Sequence, residues 1–184
     1  MPEFPVLLLG NPELNRVSKA VDRSELGEVV ELVGNLRDTL NAFRARHGVG
    51  LAIAAPQIGV FKRVVYIHVT APIVLINPVV EPLGDEKLET WENCLSFPDL
   101  FVKVKRHKAC VLTYRDLNWR EIQVSLTGGM SILVQHECDH LNGVLSVSRA
   151  VDGRSFCLAS ERRFIRQSAL NPWSSTRLAE STGG

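Results

Sequence analysis

The sequence predicts an α+β fold, with helix and antiparallel sheet occupying separate stretches of the chain. Three observations carry that expectation: a long stripe of helical periodicity near the N-terminus, a middle region of short β-branched runs, and a return to helical spacing after a Thr-Gly-Gly break. From Asp22 to Arg46, the residues Leu26, Val29, Val30, Val33, Leu36, Leu40 and Phe43 recur at intervals of three and four, which places them on one side of a helix. Asp22 with Glu25 offers a capping-box-like start, and Gly48 a stop. Strands are expected at Val64 to Val69, Ile73 to Ile76, Val102 to Val104, Ala109 to Tyr114 and Ile122 to Leu126. Asp116-Leu117-Asn118 reads as a hairpin joining the last two, so those strands should pair antiparallel. Thr127-Gly128-Gly129 ends the sheet region. Ile132, Leu133, Cys138, Leu141 and Val144 then resume helical spacing, and the apolar residues from Ser155 to Ile165 predict a terminal helix.

Composition narrows the class further. With 184 residues, 45% of them apolar, the chain can bury roughly 70% of its unfolded surface and needs no disulfide framework. One domain is expected over residues 1–170. Ser174, Ser175, Ser181, Thr182, Gly183 and Gly184 behind Pro172 predict a mobile tail over 171–184. Lys plus Arg number 21 against 20 Asp plus Glu. That balance gives no overall drive for counterion release from phosphates, so no specific nucleic acid is expected as partner. Apolar runs such as Val6 to Leu9 fall far short of the ~20 residues that cross a bilayer, so no membrane span is expected. Met1-Pro2-Glu3-Phe4 has neither the basic start nor the apolar stretch of a secretory signal, which predicts a cytoplasmic protein. Cys94, Cys110, Cys138 and Cys157 are widely spaced with no Cys-x-x-Cys pair and read as reduced thiols.

The second helix contains His136-Glu137-Cys138-Asp139-His140, a His-Glu-x-x-His pattern. Positions i and i+4 share one helix face, so the two imidazoles can hold a single metal ion, and Glu137 can reach a water beside it without becoming a ligand. Catalytic sites of this kind use three protein ligands and keep one position open. A metzincin would supply a third His where this chain has Ser146. Glu161, twenty-one residues after His140, has the spacing of a thermolysin-like third ligand but stands in Ser160-Glu161-Arg162-Arg163, the pattern of a solvated helix face. The other option is an upstream thiolate, which suits Zn or Fe(II).

Three segments in order, Gly50-Leu51-Ala52-Ile53-Ala54-Ala55-Pro56-Gln57, Glu92-Asn93-Cys94-Leu95-Ser96 and Gln135-His136-Glu137-Cys138-Asp139-His140-Leu141, resemble the three motifs of peptide deformylases. The likeness extends from Val6 to about Arg166. It implies antiparallel sheets packed around a central metal-binding helix, and hydrolysis of the N-formyl group of N-formylmethionine on nascent chains. It implies Cys94, His136 and His140 as metal ligands and Glu137 as general base. Gln57 and the backbone N–H of Leu95 would stabilise the charge that develops on the formyl oxygen, the kind of donor worth ~3 kcal/mol in a barrier. The implied cofactor is one divalent ion, Fe(II) foremost, with Zn, Ni or Co also suited to a Cys-His-His set. An N-formylmethionyl peptide is the partner the resemblance implies, and the family function suggests a ribosome contact.

Substrate contacts are expected at Gly50, Leu51 and Ala52, with Leu51, Ile132 and Leu133 as candidates to receive a methionine side chain. Glu92 and Arg106 match a supporting ion pair, and Asp139 is a candidate anchor for the metal helix. Two departures bear on function. Ala52 stands where the family usually has Gly, which is expected to narrow the cleft, and Asn93 replaces the Gly before Cys94, where its tolerance of a left-handed backbone should preserve the ligand loop. Those departures leave open a chain with an altered formyl substrate or lost turnover, and spacing leaves open a zinc peptidase using Glu161.

Overall fold

A computed structural model describes residues 4–165. Helix α1 covers Leu26–His47, entered through a 3-10 turn at Arg23–Glu25. The Glu25 carboxylate accepts the Asp22 N–H at 2.7 Å, and Gly48, at φ 69°, closes the helix by donating its N–H to the Arg44 carbonyl. Strands β1 (Ala52–Ala54), β2 (Val64–His68) and β3 (Pro72–Pro82) come next, then β4 (Lys87–Cys94), β5 (Phe97–His107), β6 (Ala109–Arg115) and β7 (Glu121–Thr127). Helix α2 spans Gly128–Leu141, and β8 is Phe156–Leu158. All strand pairs are antiparallel, forming one sheet in the order β1-β2-β3-β6-β7 and a second in the order β4-β5-β8. The expected α+β class holds.

Alternation along the strands explains why the first three are apolar on both sides. Ile53, Val64, Tyr66 and Ile76 pack with Leu36, Leu40 and Phe43 of α1. Their neighbours Ala52, Ala54, Val65, Ile67 and Leu75 pack with Met130, Val134 and Leu141 of α2. Successive side chains point to opposite faces, so a helix on each face demands a continuous apolar run, each buried large residue contributing about 1.5–3 kcal/mol. The β6–β7 hairpin forms as predicted: the Asp116 carboxylate accepts the N–H groups of Asn118 and Arg120 at 2.8 and 2.9 Å and sets the turn.

Two expectations change, and two strands go unpredicted. Ser155 to Ile165 is not a helix; β8 pairs with β5 and a 3-10 turn follows at Ala159–Phe164, because edge pairing of Phe156 with Val102 and Leu158 with Leu100 satisfies the backbone there. Val144 lies beyond α2, which stops at Leu141 with Asn142 as its cap. Strands β1 and β4 carry no apolar period: β1 is three residues long, and the buried positions of β4 are Thr90, Glu92 and Cys94. The tail expected over 171–184 lies outside the described residues.

Gly143, just past the Asn142 cap of α2, sits at φ 69°, and a Cβ there would stand 2.3 Å from the Asn15 carbonyl oxygen. Gly143→Ala is therefore expected to lower stability by about 2–4 kcal/mol, the combined scale of left-handed strain and overpacking. Urea denaturation checks this; an unchanged midpoint would show that the N-terminal segment yields freely.

Candidate metal centre

Helical spacing brings His136 and His140 of α2 together with ring centroids 4.9 Å apart and Nε2 atoms at 3.2 Å. Cys94 reaches them from the end of β4. There the register against β5 shifts between Glu92 and Cys94, and Leu95-Ser96 turns the chain back so that Cys94 pairs with Phe97. The Cys94 Sγ lies 3.2 Å from His140 Nε2, and the three donor atoms are all within 4.8 Å of one another. All three residues are buried. Nitrogen donors placed tetrahedrally at ~2.0–2.1 Å from one ion stand about 3.3 Å apart, so the observed spacing fits a shared divalent ion.

The imidazole of His136 is oriented from behind. Its Nδ1 lies 2.9 Å from Glu92 Oε2. Burial alone would raise the Glu92 pKa, but the contacts with His136 and Arg106 outweigh it and bring the value down to about 2, so the carboxylate can only accept. Burial works against charge on His136, but contacts with Cys94 and Glu92 outweigh it and hold its pKa well above the usual range; an ion on Nε2 would displace the proton there and keep the one on Nδ1, the tautomer a metal ligand requires. Burial likewise disfavours charge on His140 and, with the fields of His136 and Arg106, drives its pKa well below the usual range.

Arg106 extends this support. It donates to Glu92 from Nε and Nη2 at 2.8 and 3.0 Å and from Nη1 to Asp139, which also accepts from Arg149 at 2.5 and 2.6 Å. Glu92, Arg106 and Asp139 are each at most 7% exposed. The expected Glu92–Arg106 pair is thus buried, and Asp139 ties α2 to β5 instead of facing solvent.

Glu137 is 3% exposed, and its Oε2 has no hydrogen-bond partner among the described residues. Burial pushes its carboxyl up to about 7. A buried acceptor left unmade costs about 1–3 kcal/mol, a cost a purely structural residue does not explain. Gln57 is fixed by accepting the Ala54 N–H on Oε1 at 2.9 Å, which turns its Nε2 donor toward Cys94 Sγ at 3.4 Å and Ser96 Oγ at 3.2 Å.

A cleft of about 860 Å³ opens on this cluster. Gly50, Leu51, Ala52, Ile132 and Leu133 line it, together with Gln57, Cys94, Leu95, His136 and Glu137, so the substrate-contact positions expected from the sequence line the same cleft as the candidate catalytic ones. Gly50 sits at φ 124°, and a Cβ there would meet Leu40 Cδ1 at 3.2 Å. Phe101 and Trp91 also line the cleft and carry no motif, since the pairing of β5 with β4 and β8 places them there, and Ile165 joins them from the end of the last 3-10 turn. Glu161 lies in the last 3-10 turn, paired with Arg163 at 3.2 Å with its side chain 46% exposed, and is not among the converging donors. Asn93 corrects an expectation: it stands at the β4 register shift, and among the described non-glycine residues only Asn77 and Trp119 have positive φ. The ligand strand asks for no left-handed residue there.

A thiol and two imidazoles converging beside a buried, unpartnered carboxylate, on an α+β scaffold with a peptide-sized cleft, define a metallohydrolase. Known proteins specify which. The family model for polypeptide deformylase matches residues 4–155. Peptide deformylase 1 of Prochlorococcus marinus is 41% identical over 170 residues, covering 85% of this chain and 85% of that protein. Peptide deformylase 2 of Ralstonia nicotianae is 38% identical over 163 residues, 83% of this chain and 89% of that one. Among solved structures, a peptide deformylase from Synechococcus elongatus in complex with actinonin matches with a TM-score of 0.76 at 31% identity, covering 83% of this chain and 81% of that chain. A class I type b enzyme from Acinetobacter baumannii bound to Met-Ala-Ser matches with a TM-score of 0.73 at 28% identity, covering 80% and 98%. The chain belongs to the peptide deformylase family. It is a metal-dependent hydrolase that removes the N-formyl group from nascent polypeptides. No helix among the described residues is long and apolar enough to cross a membrane.

Proposed function

We infer that Cys94, His136 and His140 hold one divalent ion, Fe(II) in the native protein, and that Glu137 is the proton carrier of the reaction. The observation that supports this most directly is the convergence of Sγ and two Nε2 atoms within 4.8 Å, beside the unpartnered Glu137 oxygen. A divalent ion held there supplies Lewis-acid polarisation of water and carbonyl. Glu137 takes a proton from the water attacking the formyl carbon. Gln57 Nε2 and the Leu95 N–H donate to the formyl oxygen as negative charge grows on it. Glu137 then returns its proton to the amine nitrogen as the C–N bond breaks, and formate and a free N-terminus leave.

Leu51, Ile132 and Leu133 receive the methionine side chain, while Gly50 and Ala52 border the peptide backbone. The Met-Ala-Ser held by the Acinetobacter relative supports a peptide in this cleft. The Ala52 side chain belongs to the cluster between sheet and α2, so its methyl is accommodated by packing as well as by the cleft. Acting on nascent chains places the protein in the cytoplasm, near the ribosome.

Metal-loaded protein is expected to release formate from formyl-Met-Ala-Ser, and anaerobically purified protein to carry about one equivalent of iron. Full metal occupancy with no formate from any formyl-Met peptide would refute the substrate assignment. The ligand set has its own check by elemental analysis: Cys94→Ala should lose the ion while Glu161→Ala keeps it. The reverse result would make the chain a Glu161-dependent site instead.

A further inference from the structure

The face of α2 turned away from the cleft borders a second cavity, of about 430 Å³. Gln135, Cys138, Asp139 and Asn142 recur there at helical spacing, while His136 and Glu137 face the cleft. Arg63, Lys87, Lys105, Arg106 and Arg149 line this cavity against Asp139 alone, five of the chain's 21 Lys and Arg residues with one of its 20 Asp and Glu. On a chain of net charge +1, that is a marked local excess of cations.

Neighbouring acids cancel only part of it. Glu92 balances Arg106, and Asp139 balances Arg149. Lys105 meets Glu89 at 3.3 Å, but both side chains are half exposed and such a pair is weak. Arg63 and Lys87 meet no carboxylate among the described residues. Arg63 is nevertheless held in place, donating to the Asn142 side chain at 2.8 Å and the Pro78 carbonyl at 3.0 Å. A guanidinium oriented by neutral acceptors keeps its full charge and loses little entropy when an anion arrives. The C-terminus of α2 gains from nearby cations, which accounts for Arg63 and Arg149 but not for Lys87 and Lys105, which reach the cavity from strands of the other sheet.

We propose that this cavity is an anion-binding site for a di- or triphosphate group, formed chiefly by Arg63 and Lys87 with Lys105 and Arg149, on the far side of the metal helix. Concavity favours a compact multivalent phosphate over an extended backbone.

The test is calorimetric titration of inorganic pyrophosphate into metal-loaded protein at low ionic strength, repeated with the cleft filled by Met-Ala-Ser. One-to-one binding that survives filling of the cleft is expected. It should weaken about tenfold in the Lys87→Gln variant and further in Lys87→Gln/Arg63→Gln, with formate release from formyl-Met-Ala-Ser within about twofold of the parent. Lys87 is exposed, and its side chain anchors nothing among the described residues, so the single variant keeps the test valid should Arg63→Gln fold poorly. A parallel titration with single-stranded RNA tests the compact-phosphate assignment: affinity above that of pyrophosphate, lost in the same variants, overturns it in favour of an extended phosphate backbone. No binding up to about 10 mM pyrophosphate, binding abolished by Met-Ala-Ser, or affinity unchanged in both variants overturns the proposal.

Discussion

Glu137→Gln is expected to lower kcat for formate release by about 10²–10⁴-fold, the range assigned to a positioned proton carrier, with KM and metal content little changed. The amide has the size of the carboxyl but cannot take a proton from water, and it removes no ligand atom from the Cys94-His136-His140 cluster. Its effect on stability should run the other way. Burial pushes the Glu137 carboxyl up to about 7, so ionising it in place is unfavourable, and a neutral side chain of equal volume avoids that cost. The variant is therefore expected to be as resistant to heat as the parent or more so, the usual signature of a residue kept for chemistry at the expense of stability. Single-turnover formate release and thermal unfolding, measured on the same metal-loaded samples, separate the two effects. Parent-like turnover in the variant would remove Glu137 from the reaction.

The sequence reveals the site wherever chemistry imposes a local spacing. His136, Glu137 and His140 declare themselves because one turn of helix sets both their separation and their shared face. Cys94 does not: its approach to His140 depends on a register shift in β4 and a two-residue turn, neither of which has a periodic signature, and only the motif resemblance singles it out. Strand β4 is hidden for a related reason. Its buried positions are Thr90, Glu92 and Cys94, so its inward face is polar and apolar alternation says nothing. The helix expected from Ser155 to Ile165 fails because periodicity is a local signal, whereas β8 exists only by virtue of a partner strand more than fifty residues away. Arg106 is legible only through the motif resemblance, which pairs it with Glu92. Charged residues are ordinarily exposed, so composition and periodicity give no sign that this one is enclosed or that Asp139 shares it.

That enclosure makes Arg106→Met the substitution expected to cost most stability. Arg106 is 3% exposed and supplies three donors to two buried carboxylates. Burial works against its charge, and Glu92 and Asp139 reverse that, holding its pKa above even the usual arginine range. Methionine fills similar volume, so the loss is electrostatic: Glu92 and Asp139 stay buried without their shared cation, and breaking such a pair from one side typically costs about 3–5 kcal/mol. Arg149→Ala, which removes a side chain 45% exposed, should cost under about 1 kcal/mol because solvent screens what is left. Arg106→Lys should recover only part of the loss, since an ammonium cannot reproduce the planar fork that spans both Glu92 oxygens. Function follows stability here through His136. Once Glu92 is free to turn, the proton on Nδ1 is no longer fixed and metal affinity should fall about 10–100-fold, the usual effect of losing a partner behind a ligand. Urea denaturation of metal-loaded and metal-free protein tests both parts. A midpoint unmoved in both forms would mean that the carboxylates find water instead, and that the imidazole is oriented by helix packing alone.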